Sequence, residues 1–156
     1  RAELMAPLVI GIGNPARGDD AVGLRVVEAI GLSEMVLEHD GEPASLIALW
    51  EGHDAVVLID AISSESPPGT IVEIDASNSV LPAGMCHSTH ALGPAEAVEL
   101  ARALGRLPAR ITLLGIEGSD YSFGAGLAPE VEAAVGEVVR RVRAIIWEAA
   151  PDRDPS

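Results

Sequence analysis

The chain has 156 residues, of which 48% are hydrophobic, and this is enough for one compact domain that buries a core of its own. Its 24 acidic and 10 basic residues give a formal net charge of −14. Nucleic acids and anionic membranes both need clustered Lys and Arg, so neither is an expected partner. We expect a single domain over residues 1–156 whose partners carry positive charge or a metal.

Cysteine content and the start of the chain bear on its compartment. A single cysteine, Cys86, cannot form an intramolecular disulfide and gives no sign of an oxidising environment. The first residues lack the basic and apolar regions of a signal peptide, and no apolar run approaches the roughly 18 residues of a membrane span. We expect a cytoplasmic monomer with a frayed polar tail at 151–156.

Apolar runs alternate with segments of helical periodicity along the chain, a pattern typical of an α/β fold. The predicted strands are Pro7–Gly13, Met35–Asp40, Ala55–Ile62, Thr70–Ile74 and Arg110–Glu117. The predicted helices begin near Asp19, at Pro43, at Pro94 and at Pro129, and the last carries an apolar stripe of Val131, Val135, Val138, Val142 and Ile145.

The connections between strands indicate how the sheet is built. The third strand is apolar throughout, which favours a central position with both faces covered. Residues 63–69 are too few for a helical crossover, so the fourth strand is predicted to run antiparallel to its neighbour. The predicted fold is a three-layer α/β sandwich with a mixed, mostly parallel five-stranded sheet and helices on both faces.

Ligands of open α/β sheets bind beyond the carboxyl ends of the strands. In this sequence the candidate residues at those positions are Asn14, Asp20, Asp40, Gly41 and Asp60. Asp60 closes the apolar run VVLID, and a carboxylate there is costly to bury unless it is paired, hydrogen-bonded or bound to a metal. Taken alone, such an aspartate is more often a cap on the following loop.

The long irregular segment 75–93 carries Cys86, His87 and His90. Histidine serves both as a metal ligand and as a general base. The spacing lacks the paired CxxC of a structural zinc site, so the segment is a weak metal motif by itself. A nucleophilic Cys86 with a neighbouring histidine stays open as an alternative.

The glycine-rich turn after the first strand allows a second interpretation, because it satisfies the loose G-x-G-x-x-G/A pattern of nucleotide sites through Gly11, Gly13 and Ala16. Asp40 stands where a ribose-binding acid is expected. Asp19 and Asp20, however, place two negative charges near the helix end that a pyrophosphate would occupy. Nucleotide binding therefore ranks second.

Asp20, Asp60 and His90 could instead converge at one edge of the sheet. Two carboxylates and one imidazole suit a divalent transition metal with open coordination positions. Asp19 is then expected to cap the first helix.

Four motifs in order resemble the hydrogenase maturation endopeptidases, which trim the large subunit of nickel-iron hydrogenases. They are GIGNPARGDDAVGLRVVE near the start, LIDAI in the third strand, STHALG in the irregular segment and GLAPEVEAAV at the last helix. The likeness extends over nearly the whole chain.

The resemblance implies that Asp20, Asp60 and His90 contact nickel presented by the substrate and form the catalytic site. The implied substrate is a large-subunit precursor that has received its nickel and loses a short C-terminal extension. Asn14, Asp40 and Gly41 are the implied substrate contacts. Either carboxylate could act as general base, and nickel could be catalytic or serve only for recognition. A non-catalytic nickel-binding chaperone remains an alternative.

Overall fold

The computed structural model describes residues 6–81, 85 and 93–149. Its strands are β1 (Leu8–Ile12), β2 (Val36–His39), β3 (Ala55–Ile62), β4 (Ile71–Asp75) and β5 (Arg110–Glu117). Its helices are α1 (Val22–Ile30), α2 (Pro43–Trp50), α3 (Pro94–Ala103) and α4 (Pro129–Ala149), and a short 3-10 turn, Gly18–Ala21, precedes α1. Among these helices none combines the length and the apolar character that a membrane span needs.

The five strands form one sheet in the order β2-β1-β3-β5-β4. The first four in this order are parallel, and β4 runs antiparallel along β5. This confirms the predicted mixed, mostly parallel sheet and the central position of β3. The partner of β4 is β5 rather than β3, because the short connection crosses the end of β5, where Gly69 and Thr70 exchange backbone hydrogen bonds with Glu117.

Helices cover both faces of the sheet, as predicted. Alternate residues of β3 point to opposite faces, so Leu58 and Ile62 join the core under α2 and α3, while Val57 and Ile59 join the core under α1 and α4. The predicted stripe of α4 lies on the second core: Val131, Val138 and Val142 are fully buried, and Val135 and Ile145 are partly buried.

The glycine-rich turn brings α1 into backbone contact with the strands. A Cβ atom at Gly23 would lie 2.4 Å from the Ile59 carbonyl oxygen, and one at Gly13 would lie 2.0 Å from the Asp20 carbonyl oxygen. Any side chain would push these segments apart. The glycines therefore hold the turn with Asp20 against the ends of β1 and β3.

Candidate active site

Four acidic side chains are buried in the described part of the chain: Asp19, Asp20, Asp60 and Glu117. All four lie toward the carboxyl edge of the parallel strands. Asp19 and Asp20 belong to the turn after β1, Asp60 lies near the end of β3, and Glu117 is the last residue of β5. Because a buried charge is unfavourable without partners, the contacts of each carboxylate indicate its role.

Asp19 is a structural carboxylate. Its Oδ2 accepts hydrogen bonds from the backbone amides of Ser119 (2.7 Å) and Asp120 (2.9 Å), and its Oδ1 accepts one from Ala128 (2.7 Å). The prediction that Asp19 caps the first helix is wrong, since neither the 3-10 turn nor α1 has a side-chain cap. Its carboxylate instead satisfies loop amides that would otherwise be buried without acceptors.

Glu117 is also satisfied by the chain itself. Its carboxylate accepts hydrogen bonds from the Ser64 amide (3.0 Å) and the Ser64 hydroxyl (2.8 Å). These bonds tie the connection that leaves β3 to the end of β5. Glu117, like Asp19, has its acceptors occupied.

Asp20 and Asp60 differ from these two acids. The Asp60 Oδ1 accepts the Ala61 amide at 2.8 Å, and Asp20 accepts the Asn14 amide. Within the described residues, however, Asp20 Oδ1 and Asp60 Oδ2 are buried with no hydrogen-bond partner. The remaining buried side-chain atom without a partner in this part of the chain is Trp50 Nε1, in the core under α2 and α3. The two carboxylate oxygens are thus available to a ligand.

Burial and mutual repulsion raise the pKa of both carboxyls. Burial raises the pKa of Asp20 from 3.8 to about 6, against the opposing effects of the Asn14 amide and the Arg17 charge. Burial, followed by the charge of Asp20, raises the pKa of Asp60 well above its usual value. The pair therefore holds a proton at pH values where isolated aspartates would be ionised.

The position of Asp60 in the sheet directs it to one face. It lies inside β3, in register with Gly115 of β5. It has the same strand parity as Leu58 and Ile62, which pack under α2 and α3. Asp60 therefore belongs to the face of the sheet that α2 and α3 cover.

The three predicted substrate contacts follow β1 and β2 at the same edge. Asn14 Oδ1 accepts the Ala16 amide at 2.9 Å, and Asp40 Oδ1 accepts the Glu42 amide at 3.0 Å, although the Asp40 side chain is largely exposed. Gly41 adopts a φ of +92°. Their role in substrate binding stays a prediction.

The predicted third ligand, His90, lies outside the described residues, as do Cys86 and His87. Over 6–81, 85 and 93–149, no group of three or more His, Cys, Asp or Glu side chains is arranged to hold a metal ion. The structure brings Asp20 and Asp60 together, and the complete ligand set stays a prediction.

The backbone of the glycine-rich turn argues against a phosphate site. Phosphate cradles need free backbone amides. Here the amides of Gly13, Arg17, Asp19 and Asp20 donate to carbonyl oxygens of the chain, and that of Ala16 donates to Asn14. The Asn14 amide donates to Asp20. These six amides are occupied by hydrogen bonds within the protein and are not available to a phosphate. The nucleotide interpretation therefore loses its basis.

Sequence reasoning missed the role of residues 119–124, whose first two backbone amides donate hydrogen bonds to Asp19. In this segment Tyr121 donates a hydrogen bond from its hydroxyl to the Ile62 carbonyl at 2.9 Å, beside the end of β3. The unpatterned polar run SDYSFG, just before the predicted last helix, was the available signal. No local spacing could connect that run to Asp19.

An α/β sandwich that collects two buried, partly unsatisfied carboxylates at the carboxyl edge of its sheet has the features of an enzyme. Comparison with known proteins identifies which kind. The family model of the hydrogenase maturation protease (HycI) matches residues 28–145, a span that includes Asp60 and His90 and begins after Asp20. The chain belongs to the hydrogenase maturation protease family.

Individual relatives agree with this assignment. The hydrogenase 2 maturation protease of Escherichia coli (strain K12) is 31% identical over 160 residues, which cover 97% of this chain and 96% of that protein. The structure of the hydrogenase maturating endopeptidase HybD from E. coli superposes with a TM-score of 0.74 at 28% identity and covers 94% of each chain. The HybD protease of Thermococcus kodakarensis gives a TM-score of 0.70 at 25% identity, over 91% of this chain and 99% of that one. The predicted activity, an endopeptidase that processes the hydrogenase large subunit, is confirmed.

Proposed function

We propose that this endopeptidase removes a short C-terminal extension from the nickel-loaded large-subunit precursor of a nickel-iron hydrogenase, with Asp20, Asp60 and His90 facing the nickel. One observation carries the proposal: two adjacent buried carboxylates each keep an oxygen without a partner in the described chain. A folded protein rarely leaves such atoms unsatisfied unless a ligand uses them.

The chemistry of these donors fits a divalent transition metal. Two carboxylate oxygens, with an imidazole as a third donor, leave coordination positions open for ligands from the precursor. A nearby cation also favours ionised carboxylates, which offsets the burial that raises their pKa values. Nickel supplied by the precursor would be available to polarise the scissile carbonyl or to acidify a water.

The two aspartates can divide the proton transfers between them. Asp20, with a pKa of about 6, is mostly ionised at neutral pH and can accept the proton of an attacking water as general base. Burial raises the pKa of Asp60 well above its usual value, and in its protonated form Asp60 can donate a hydrogen bond to a developing oxyanion or to the leaving amine. The Asn14 amide and the Arg17 charge help to keep Asp20 in its basic form.

Intact-mass analysis of a precursor with verified nickel content, before and after incubation with the protein, tests the proposal. The expected result is loss of one C-terminal peptide, and no loss from a nickel-free precursor or with Asp60→Asn. Asp54→Asn is the matched control, because Asp54 is an exposed acid just before β3, at the opposite end of that strand. Full processing by Asp60→Asn would refute the site assignment, and binding without a mass change would indicate a chaperone.

A further inference from the structure

A groove of about 180 Å³ lies beside the turn that carries Asp20. Pro15 and Ala21 line it from the turn, Leu24 from α1, and Gly126 and Leu127 from the segment before α4. Most of these residues are apolar. Since Ala21 directly follows Asp20 in the chain, the groove borders the turn that carries this carboxylate.

The outer wall of the groove is firmly held. It belongs to residues 119–127, here called the anchored loop. Asp19 accepts the amides of Ser119 and Asp120 at its start, and the Gly124 amide donates to the Ala16 carbonyl at 2.8 Å. The turn with Asp20 and the wall of the groove are therefore joined by hydrogen bonds, and the groove has a fixed shape.

The anchored loop also displays the single phenylalanine of the chain. Phe123 is 78% exposed, although its loop is held in place on both sides of it. Exposed aromatic side chains on ordered surfaces are frequent anchors of protein interfaces. Arg25 and Glu28 add charged groups to the lining of the groove, and Arg25 forms a half-exposed ion pair with Glu132 at 2.8 Å. The apolar part of the groove therefore has a polar rim, as interfaces usually have.

We propose that the groove and Phe123 bind an apolar segment of the precursor polypeptide next to the bond that is cut. An endopeptidase has to hold its substrate chain beside the reacting carbonyl. The groove is a suitable place for this contact, because its residue Ala21 follows Asp20 in the same turn. The proposal rests on the proposed function, since the occupant is the hydrogenase precursor.

Two variants test the groove without disturbing the fold. Phe123→Ser removes an exposed side chain. Gly126→Trp fills the groove, and a Cβ at Gly126 meets no atom within 4 Å. Trp147→Ser is the control for the first variant, because Trp147 is 60% exposed near the far end of α4. Gly136→Trp is the control for the second, because Gly136 is an exposed residue of α4 outside the groove lining and a Cβ there also meets no atom within 4 Å.

KM and kcat for processing of the nickel-loaded precursor, together with precursor affinity measured in an Asp60→Asn background, supply the readout. Phe123→Ser and Gly126→Trp are expected to raise KM and Kd about tenfold or more, with a small change in kcat, as for loss of an interface anchor. Both controls are expected to stay within about twofold of the parent.

The outcomes separate this proposal from the one it rests on. If the unmodified protein neither binds nor cleaves the precursor, the proposed function fails and the groove proposal fails with it. If the unmodified protein cleaves and both groove variants match it, only the groove proposal is overturned. It is also overturned if Phe123→Ser converts a dimer of the free protein into a monomer in sedimentation, since the groove is then a contact between copies of the chain.

Discussion

Asp20 and Asp60, contributed by the turn after β1 and by the central strand β3, lie close enough for the charge of Asp20 to raise the pKa of Asp60. Each keeps one buried oxygen without a hydrogen-bond partner in the described chain. Their neighbours Asp19 and Glu117, buried at the same edge, have hydrogen-bond partners for their carboxylates. This difference in hydrogen bonding distinguishes two carboxylates that stabilise the fold from two whose oxygens are available to a ligand.

Asp60→Asn is expected to stabilise the metal-free protein while abolishing processing. The amide removes the acid that Asp20 repels and keeps an oxygen for the Ala61 amide. The free energy of unfolding at neutral pH should rise by on the order of 1–2 kcal/mol. Urea unfolding of the metal-free protein measures it, with Asp54→Asn as the neutral control. A clear loss of stability would contradict the view that the pair is strained by burial.

The stability of the metal-free protein should depend on pH through Asp20. Its pKa is about 6 in the folded state and near 3.8 in the unfolded state, so the folded state binds the proton more tightly. The contribution of Asp20 to the free energy of unfolding therefore falls as the pH rises from about 4 to about 6, by on the order of 2 kcal/mol. Above this range the cost is fully present, and below it the cost disappears.

Urea unfolding of the wild type and of Asp20→Asn at several pH values measures the contribution of Asp20, which includes its repulsion of Asp60. The difference between the two proteins should grow in favour of the variant as the pH rises through that window. Parallel curves would show that Asp20 has an ordinary pKa in the folded state.

Processing should follow the same ionisation in the opposite direction. If Asp20 is the general base, kcat/KM rises with pH and levels off above a pKa near 6, since kcat/KM reports groups of the free enzyme. Rates measured at constant precursor nickel content from pH 5 to 8 test this. A rate that is flat across this range would assign the base to another group.

Much of this arrangement could be predicted from the sequence, because its signals are local. The apolar runs of β3 and β5 predict both strands at their observed bounds, and the carboxyl-edge rule brings Asp20 and Asp60 together. Asp19 was misjudged because its partners are backbone amides about a hundred residues away, which leave no pattern in side-chain spacing. The sequence also did not place β4 beside β5. That pairing depends on backbone hydrogen bonds between the connection that leaves β3 and the end of β5, which leave no pattern in the side chains.

Asp19→Ala should change stability in the opposite direction from Asp60→Asn. It removes the acceptor of three backbone amides, those of Ser119, Asp120 and Ala128, and leaves them unsatisfied in a partly buried place. A loss of roughly 2–4 kcal/mol is expected, together with faster hydrogen exchange at these three amides. Unchanged exchange there would mean that the loop is held by its other contacts.

Gly13→Ala tests whether the glycine-rich turn serves to place Asp20. The added Cβ would lie 2.0 Å from the Asp20 carbonyl oxygen, so the turn has to shift and carry the Asp20 side chain with it. We expect a loss of about 1–3 kcal/mol in the free energy of unfolding, as for other forced overpacking, and a loss of processing well beyond what the remaining folded fraction explains. Gly126→Ala is the matched control, because its Cβ meets open space. Normal processing by a folded Gly13→Ala protein would show that the position of Asp20 does not depend on this contact.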